Sequence, residues 1–345
     1  MRVLHAIAGA VHGGAETYFS RLVPSLARAR IDQRVVARPG RDWLNPVVAA
    51  GVPVSALPFG GRLDRRTRPA LAGLIGEFRP ELVLSWMSRA ASFVPSGRFL
   101  HLGRLGGPYD LKHFRGCHHL VVNAPWLAMH AGRSGWPAGR IHVIPNFALD
   151  LRPKAADRAQ FETPADVPLL LAVGRLHPVK GLDLLLDALV RLPEVWLWLA
   201  GEGPERDLLM RRAAALGVAR RVRFLGWRDD VASLLAAADL FVSPAREETF
   251  GNAILEAMQQ GRPVVATATE GGRSLLASDA TGLLVPIGDV DAVAGAVSRL
   301  LADAQLARRI GEAGREAWRS RFSEPAVVGR WVELFQRLAA MPPDR

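Results

Sequence analysis

The sequence predicts an α/β chain built as two doubly wound domains, and three observations carry that reading. Short β-rich runs alternate with longer amphipathic stretches along the whole chain, the signature of βαβ units and parallel sheets. The β-rich runs are apolar throughout rather than alternating, as needed when helices cover both faces of a sheet. The chain has 345 residues, enough for two domains, and a polar, aperiodic stretch near its middle divides it.

In the first half, strands are read at 3–8, 33–37, 54–57, 82–86, 99–102, 120–122 and 141–144, with helices such as 15–28, 68–78 and 124–133 between them. In the second half, strands are read at 169–173, 195–199, 222–224, 240–242, 264–266 and 283–285, with helices at 182–191, 205–216, 231–237, 251–259 and 290–302. The stretch 146–167, with Pro153, Ala155, Ala156, Asp157 and Pro164, reads as the linker. Beyond Gly288 the chain is almost all helical as far as Ala340, broken only near 323–325. The expected domains are therefore 1–163 and 164–323, with 324–345 a C-terminal helix able to pack back on the first domain. Open α/β sheets bind ligands at the carboxyl ends of their strands. Two such domains facing across a cleft would hold a ligand there.

Composition narrows the classes. With 49% hydrophobic and 22% charged residues, the chain is globular and not disordered. Cys117 is the only cysteine, which excludes an intramolecular disulfide and fits a reducing compartment. The opening MRVLHAIAGAVHGGAE turns polar and glycine-rich at His12, so it reads as a first strand and not a signal peptide. No apolar run approaches the roughly 18 residues of a spanning helix. A cytoplasmic protein is expected, peripheral to a membrane at most.

The net charge of +11 is unevenly placed. Residues 1–163 hold 22 basic and 10 acidic groups, a net of +12, and residues 164–345 hold 22 and 23, a net of −1. Such a field concentrates an anionic partner, whether nucleic acid, a phosphate-bearing substrate or an anionic bilayer. Arg62, Arg65, Arg66 and Arg68 cluster just before the helix at 69–78. A basic turn followed by an amphipathic helix can lie on an anionic membrane, although an ordinary core helix has the same pattern. A nucleic-acid-binding protein would also explain the charge, but the tryptophans are scattered and form no stacking platform.

Three motifs carry chemistry. The first strand runs into His12-Gly13-Gly14-Ala15-Glu16 before a helix. Paired glycines there expose amide N–H groups to an anion, or make a plain βα turn. After the first strand of the second half comes Gly174-Arg175-Leu176-His177-Pro178-Val179-Lys180-Gly181. Arg175 and Lys180, five residues apart in one loop, can neutralise a diphosphate or stay solvated. The most specific stretch is Pro244-Ala245-Arg246-Glu247-Glu248-Thr249-Phe250-Gly251-Asn252-Ala253-Ile254-Leu255-Glu256. A helix is expected from near Phe250, with Glu256 about two turns inside it. Glu248 and Glu256 would then face one ligand, their carboxylates accepting hydrogen bonds from sugar hydroxyls. Carboxylates repel phosphates, which leaves this pair unexplained in a nucleic-acid protein. Asp289-Val290-Asp291 reads as a helix cap, and Cys117-His118-His119 is too compact for a zinc site. No metal is expected.

These motifs fall in one order: Gly-Gly-Ala-Glu, Gly174-Arg175 with Lys180-Gly181, Ala200-Gly201-Glu202-Gly203-Pro204, Val222-x-Phe224-Leu225-Gly226, and Glu248 with Glu256. In that order the chain resembles the retaining GT-B glycosyltransferases of family four, the glycosyl transferases group 1. The resemblance is strongest over 170–270. It implies two Rossmann-like domains and a nucleotide-sugar donor, UDP-linked, as substrate with no cofactor. By matching position, Arg175, Lys180 and Glu248 would be catalytic. Arg175 and Lys180 would bind the diphosphate, and Glu256 the ribose hydroxyls. Glu248 with the backbone of Thr249, Phe250, Gly251 and Asn252 would hold the sugar. Leu225 would edge the base, while Gly13 and Gly14 would close on the phosphates. The implied acceptor is a glycan or lipid-linked saccharide, as in lipopolysaccharide or cell-envelope polysaccharide synthesis. A nucleotide-sugar 2-epimerase is the alternative on the same fold. Two departures stand out. No histidine follows the fourth strand at Pro80–Met87, so Asp110 or His113 would supply acceptor contacts instead. The loop Thr269-Glu270-Gly271-Gly272-Arg273-Ser274 lacks the Pro and Glu common there.

Overall fold

The apolar runs pair side by side into two separate parallel sheets. The computed structural model describes residues 1–11, 13–61 and 63–340. The first unit comprises Met1–Asn146 and the helix that begins at Glu324, and the second comprises Phe147–Ser323. In chain order the first unit runs β1 (Arg2–Ile7), α1 (Gly14–Arg28), β2 (Asp32–Ala37), α2 (Asn45–Ala49), β3 (Val54–Ala56), α3 (Thr67–Phe78), β4 (Leu82–Trp86), α4 (Met87–Phe93), β5 (Leu100–Leu105), β6 (His119–Val122), α5 (Pro125–Arg133) and β7 (Ile141–Val143). The second runs β8 (Leu169–Val173), α6 (Leu182–Val190), β9 (Trp196–Ala200), α7 (Arg206–Ala215), β10 (Val222–Gly226), α8 (Val231–Ala237), β11 (Leu240–Ser243), α9 (Asn252–Gln259), β12 (Val264–Thr267), α10 (Glu270–Leu275), β13 (Leu283–Val285), α11 (Val290–Ala302) and α12 (Ala304–Arg321). The last helix, α13 (Glu324–Ala339), returns to the first unit.

The first sheet has the order β3-β2-β1-β4-β5-β6-β7 and the second β10-β9-β8-β11-β12-β13. Each is doubly wound, so strand order reverses once: between β1 and β4 in the first sheet and between β8 and β11 in the second. Helices cover both faces, which explains why β4 and most of β8 are buried along their length. Leu185, Leu186, Leu189, Val293 and Val297 pack beneath the second sheet. Leu71, Ile75 and Phe78 of α3 do so beneath the first.

The expected linker at 146–167 is corrected by the structure. From Phe147 onward the chain already belongs to the second unit. Arg158 donates to the carbonyls of Ala237 (2.7 Å) and Val167 (2.8 Å), and the Trp198 indole donates to Thr163 Oγ1 (2.9 Å). These bonds join side chains to distant partners and leave no periodicity to read. The expected boundary at 163/164 therefore moves to 146/147.

Candidate functional site

Strand order reverses between β8 and β11, and the carboxyl ends of strands at such a reversal are where open α/β sheets bind ligands. The loops that leave these two strands, 174–181 and 244–251, carry the residues singled out in the sequence. They are bound to each other. Val179 O accepts from Arg246 N (2.8 Å) and Glu247 N (3.1 Å). The Arg246 guanidinium makes two 2.7 Å bonds to the Asp183 carboxylate in the first turn of α6, and one of 3.0 Å to Pro178 O. That fork holds the Asp183 carboxyl below its usual range and raises the Arg246 pKa. Gly181 lies at φ 61°, and a Cβ there would stand 2.2 Å from Pro244 O. Only glycine lets the two loops approach so closely.

This frame brings Lys180 and Glu248 together. Lys180 Nζ lies 2.5 Å from Glu248 Oε2, with side chains 27% and 17% exposed. The Glu248 backbone is fixed from the other side, its carbonyl accepting from Gly271 N at 2.8 Å. The 269–274 loop that departs from the expected pattern thus still touches the site, through its backbone. Arg175 is exposed and has no hydrogen-bond or ion-pair partner among the described residues. An unpaired guanidinium five residues from a lysine in one loop attracts an anion.

Glu256 occupies the fifth position of α9, which starts at Asn252 after Gly251. It is therefore just over one turn inside the helix, not two. Gly251 has a positive φ of 92°, and this delays the helix past the expected Phe250. The Phe250 ring is 4% exposed and packs edge-on against Phe322 at 6.5 Å, so its backbone is the part left for a ligand. Thr249 and Asn252 are half-buried beside it. Leu225 sits where the register of β10 against β9 shifts, an irregularity that re-aims side chains. The loops after β8, β9 and β10 are stitched by Gly174 N to Ala200 O (3.0 Å), Leu176 N to Glu202 O (2.9 Å) and Gly201 N to Gly226 O (2.7 Å).

The other expected site residues lie in the first unit. Gly13 and Gly14 open α1, and Glu16, 4% exposed, accepts from Ala10 N at 2.7 Å and folds the preceding loop back. Asp110 is occupied locally: it accepts from Lys112 N (2.9 Å) and pairs with Lys112 Nζ (2.6 Å), and these bonds lower its pKa. His113 is exposed on the same short turn. Of the basic cluster, Arg65, Arg66 and Arg68 are exposed, and Arg62 lies outside the described residues. Asp64 accepts from Gly60 N (2.7 Å), Arg66 N (3.0 Å) and Thr67 N (3.0 Å), which fixes this turn and leaves Leu63 90% exposed beside the arginines. Asp289 caps α11 by accepting from Ala292 N at 2.8 Å. Among the described residues no helix is long and apolar enough to cross a membrane. Sequence reading missed Arg246 and Asp183 as the pair that positions the site.

Residues 153–317 match the family described as Glycosyl transferases group 1. The chain is 38% identical to the lipopolysaccharide core biosynthesis glycosyltransferase LpsE of Rhizobium meliloti (strain 1021), over 99% of this chain and all of that protein. It is 32% identical to LpsD of the same organism, also a lipopolysaccharide core biosynthesis glycosyltransferase, over 98% of each. The fold matches the crystal structure of Anabaena HepE in complex with UDP, with a TM-score of 0.85 at 22% identity over 98% of this chain and 100% of that one. That likeness identifies the two doubly wound units as the GT-B fold. With full-length relatives of this identity, the chain belongs to the glycosyl transferases group 1.

Proposed function

We propose that this glycosyltransferase moves a hexose from a UDP-sugar, with retention and without a metal, to a glycan or lipid-linked acceptor in lipopolysaccharide core synthesis. The observation that carries the reading is the Lys180–Glu248 pair beside the unpaired Arg175 at the switch point of the second sheet. The names of LpsE and LpsD support the pathway, and the UDP held by HepE supports the donor nucleotide.

In this reading the donor diphosphate draws Lys180 away from Glu248. Glu248, released, accepts hydrogen bonds from the hydroxyls of the transferred sugar, and the amides of 249–252 support the same ring. When the anomeric C–O bond breaks, its electron pair passes to the diphosphate oxygen. Arg175 and Lys180 stabilise the charge that grows there. The acceptor hydroxyl attacks the oxocarbenium-like carbon from the departing face, and its proton passes to the leaving phosphate. No protein nucleophile is needed, and the two cations fill the electrostatic role of a metal. Glu256 bonds the ribose, Leu225 edges the base, and Gly13 and Gly14 approach the phosphates from the first unit. The protein works at the cytoplasmic face of the membrane, held by Arg65, Arg66 and Arg68.

Thermal stabilisation by UDP-, GDP- and ADP-glucose tests this. A ligand bound only by the folded state at 100 times its Kd adds about 2.7 kcal/mol, so the UDP-sugar should raise Tm by several degrees. Lys180→Ala and Glu256→Ala should each lose about tenfold or more in donor affinity while keeping a cooperative melt. No response to any of the three donors, or parental turnover in either variant, would sink the assignment.

A further inference from the structure

The loop 244–251 leaves the second sheet where its backbone pairing stops. β11 pairs with β12 up to Ser243 opposite Ala266, and the last residue of β12, Thr267, is paired on its other side to Val285 of β13. Toward β11 its side chain takes over. Thr267 is 1% exposed, and its hydroxyl donates to Ala245 O at 2.5 Å, with Ser243 O farther off at 3.4 Å. Ala245 is itself 1% exposed, so its carbonyl is out of water and relies on such a bond. Three residues on, Glu248 O accepts from Gly271 N at 2.8 Å, and a Cβ on Gly271 would stand 2.8 Å from that same oxygen. The chain that leaves β12 therefore grips the Glu248 segment at two points, one a hydroxyl and one an amide. Between those points the loop is held from the β8 side, where Val179 O accepts from the amides of Arg246 and Glu247.

Valine has nearly the shape of threonine and suits a buried strand at least as well. What the Thr267 hydroxyl adds is a fixed span between β12 and the loop. We infer that Thr267 is a positioning residue for the transferred sugar, setting through Ala245 the place at which the Glu248 carboxylate meets the sugar hydroxyls. It acts through the loop and touches no substrate. The inference rests on the glycosyltransferase reading above. Arg175 and Lys180, the cations of the proposed diphosphate contact, lie in the other loop, 174–181. Loss of the Thr267 bond should therefore be felt by the sugar and not by the diphosphate.

Calorimetric Kd values for UDP and for a UDP-sugar, in the parent, Thr267→Val and Thr267→Ser, test this. The sugar nucleotide is whichever of UDP-glucose, UDP-galactose and UDP-N-acetylglucosamine the parent binds most tightly. Thr267→Val should weaken that UDP-sugar about tenfold, the loss of one hydrogen bond to a charged group, and leave UDP within about twofold of the parent. Thr267→Ser keeps the hydroxyl and should restore both values. Equal loss of UDP and UDP-sugar, or loss of neither, overturns the inference. So does a serine variant that behaves like valine, since packing of the methyl and not the bond would then be what matters. If Thr267→Val does not melt cooperatively, Thr267→Ala is read in its place, and failure of both to fold makes the hydroxyl structural and overturns the inference. All of these outcomes leave UDP binding by the parent intact. A parent that binds no UDP defeats the donor reading itself and takes this inference with it.

Discussion

Arg246 commits its guanidinium to Asp183 and Pro178 O, so in the proposed reaction it would act on the donor only through the loop it holds. Arg246→Ala should therefore raise the donor KM about tenfold and leave the melting temperature within a few degrees, because the pair is about one-third exposed and such pairs contribute little to stability. Arg246→Lys should not restore affinity, since an ammonium cannot form the two parallel bonds. If Lys restores the donor KM, charge and not geometry is what the loop requires. Gly181→Ala should cost more stability, about 1–3 kcal/mol, from its left-handed backbone and the contact with Pro244 O. Denaturant unfolding measures it. Lys180 and Glu248 were legible in the sequence because each sits in a short, dense motif. Arg246 with Asp183 was not, since 63 residues separate them and nothing local marks the partnership.

At the scale of the element, apolar runs made the strands legible, and the misses came where polar side chains hide inside them. β5 was expected to stop at 102 but continues to Leu105, because Arg104 is buried. Its guanidinium donates to Ile144 O (2.7 Å) and Asn146 Oδ1 (2.8 Å) and lies 5.4 Å from each of the Tyr18 and Trp331 rings. His5 on β1 and His101 on β5 are likewise enclosed, and burial lowers each pKa from 6.5 to about 4. Both stay neutral in the folded state while the unfolded chain takes protons from pH 6.5 downward. Stability is thus full above that pH and falls as pH drops from 6.5 toward 4, by on the order of 3 kcal/mol per histidine across the window. Melting should come several degrees lower at pH 5 than at pH 7.5, and an unchanged Tm would contradict the burial of these rings.

At the scale of the whole molecule, the charge asymmetry visible in the sequence has a physical address. The excess cations belong to the first half, and the described part of the cluster presents Arg65, Arg66 and Arg68 around the exposed Leu63. Each cation near an anionic surface contributes about 1 kcal/mol, screened within about 10 Å at 0.1 M salt. Co-sedimentation with vesicles containing phosphatidylglycerol should succeed at low salt and weaken at high salt. An Arg65→Glu, Arg66→Glu double variant should not sediment at either. Vesicle binding unaffected by that reversal would relocate the contact. The two-domain plan was legible because both sheets repeat the same strand–helix grammar. The boundary was not, because residues 147–163 are held by side-chain bonds that leave no pattern in composition.

The helix at 324–339 completes a unit begun by the first residues of the chain: the Trp331 indole donates to the Tyr18 hydroxyl at 3.0 Å, and its ring covers Arg104. During synthesis on the ribosome, the second unit is contiguous and can finish as soon as Ser323 emerges. The N-terminal one, although begun first, must wait with its Tyr18 and Arg104 berth open until residues 324–339 have emerged. Order of translation and order of maturation are therefore inverted, and a nascent chain stalled before Glu324 would carry a finished second unit and an unsealed first one.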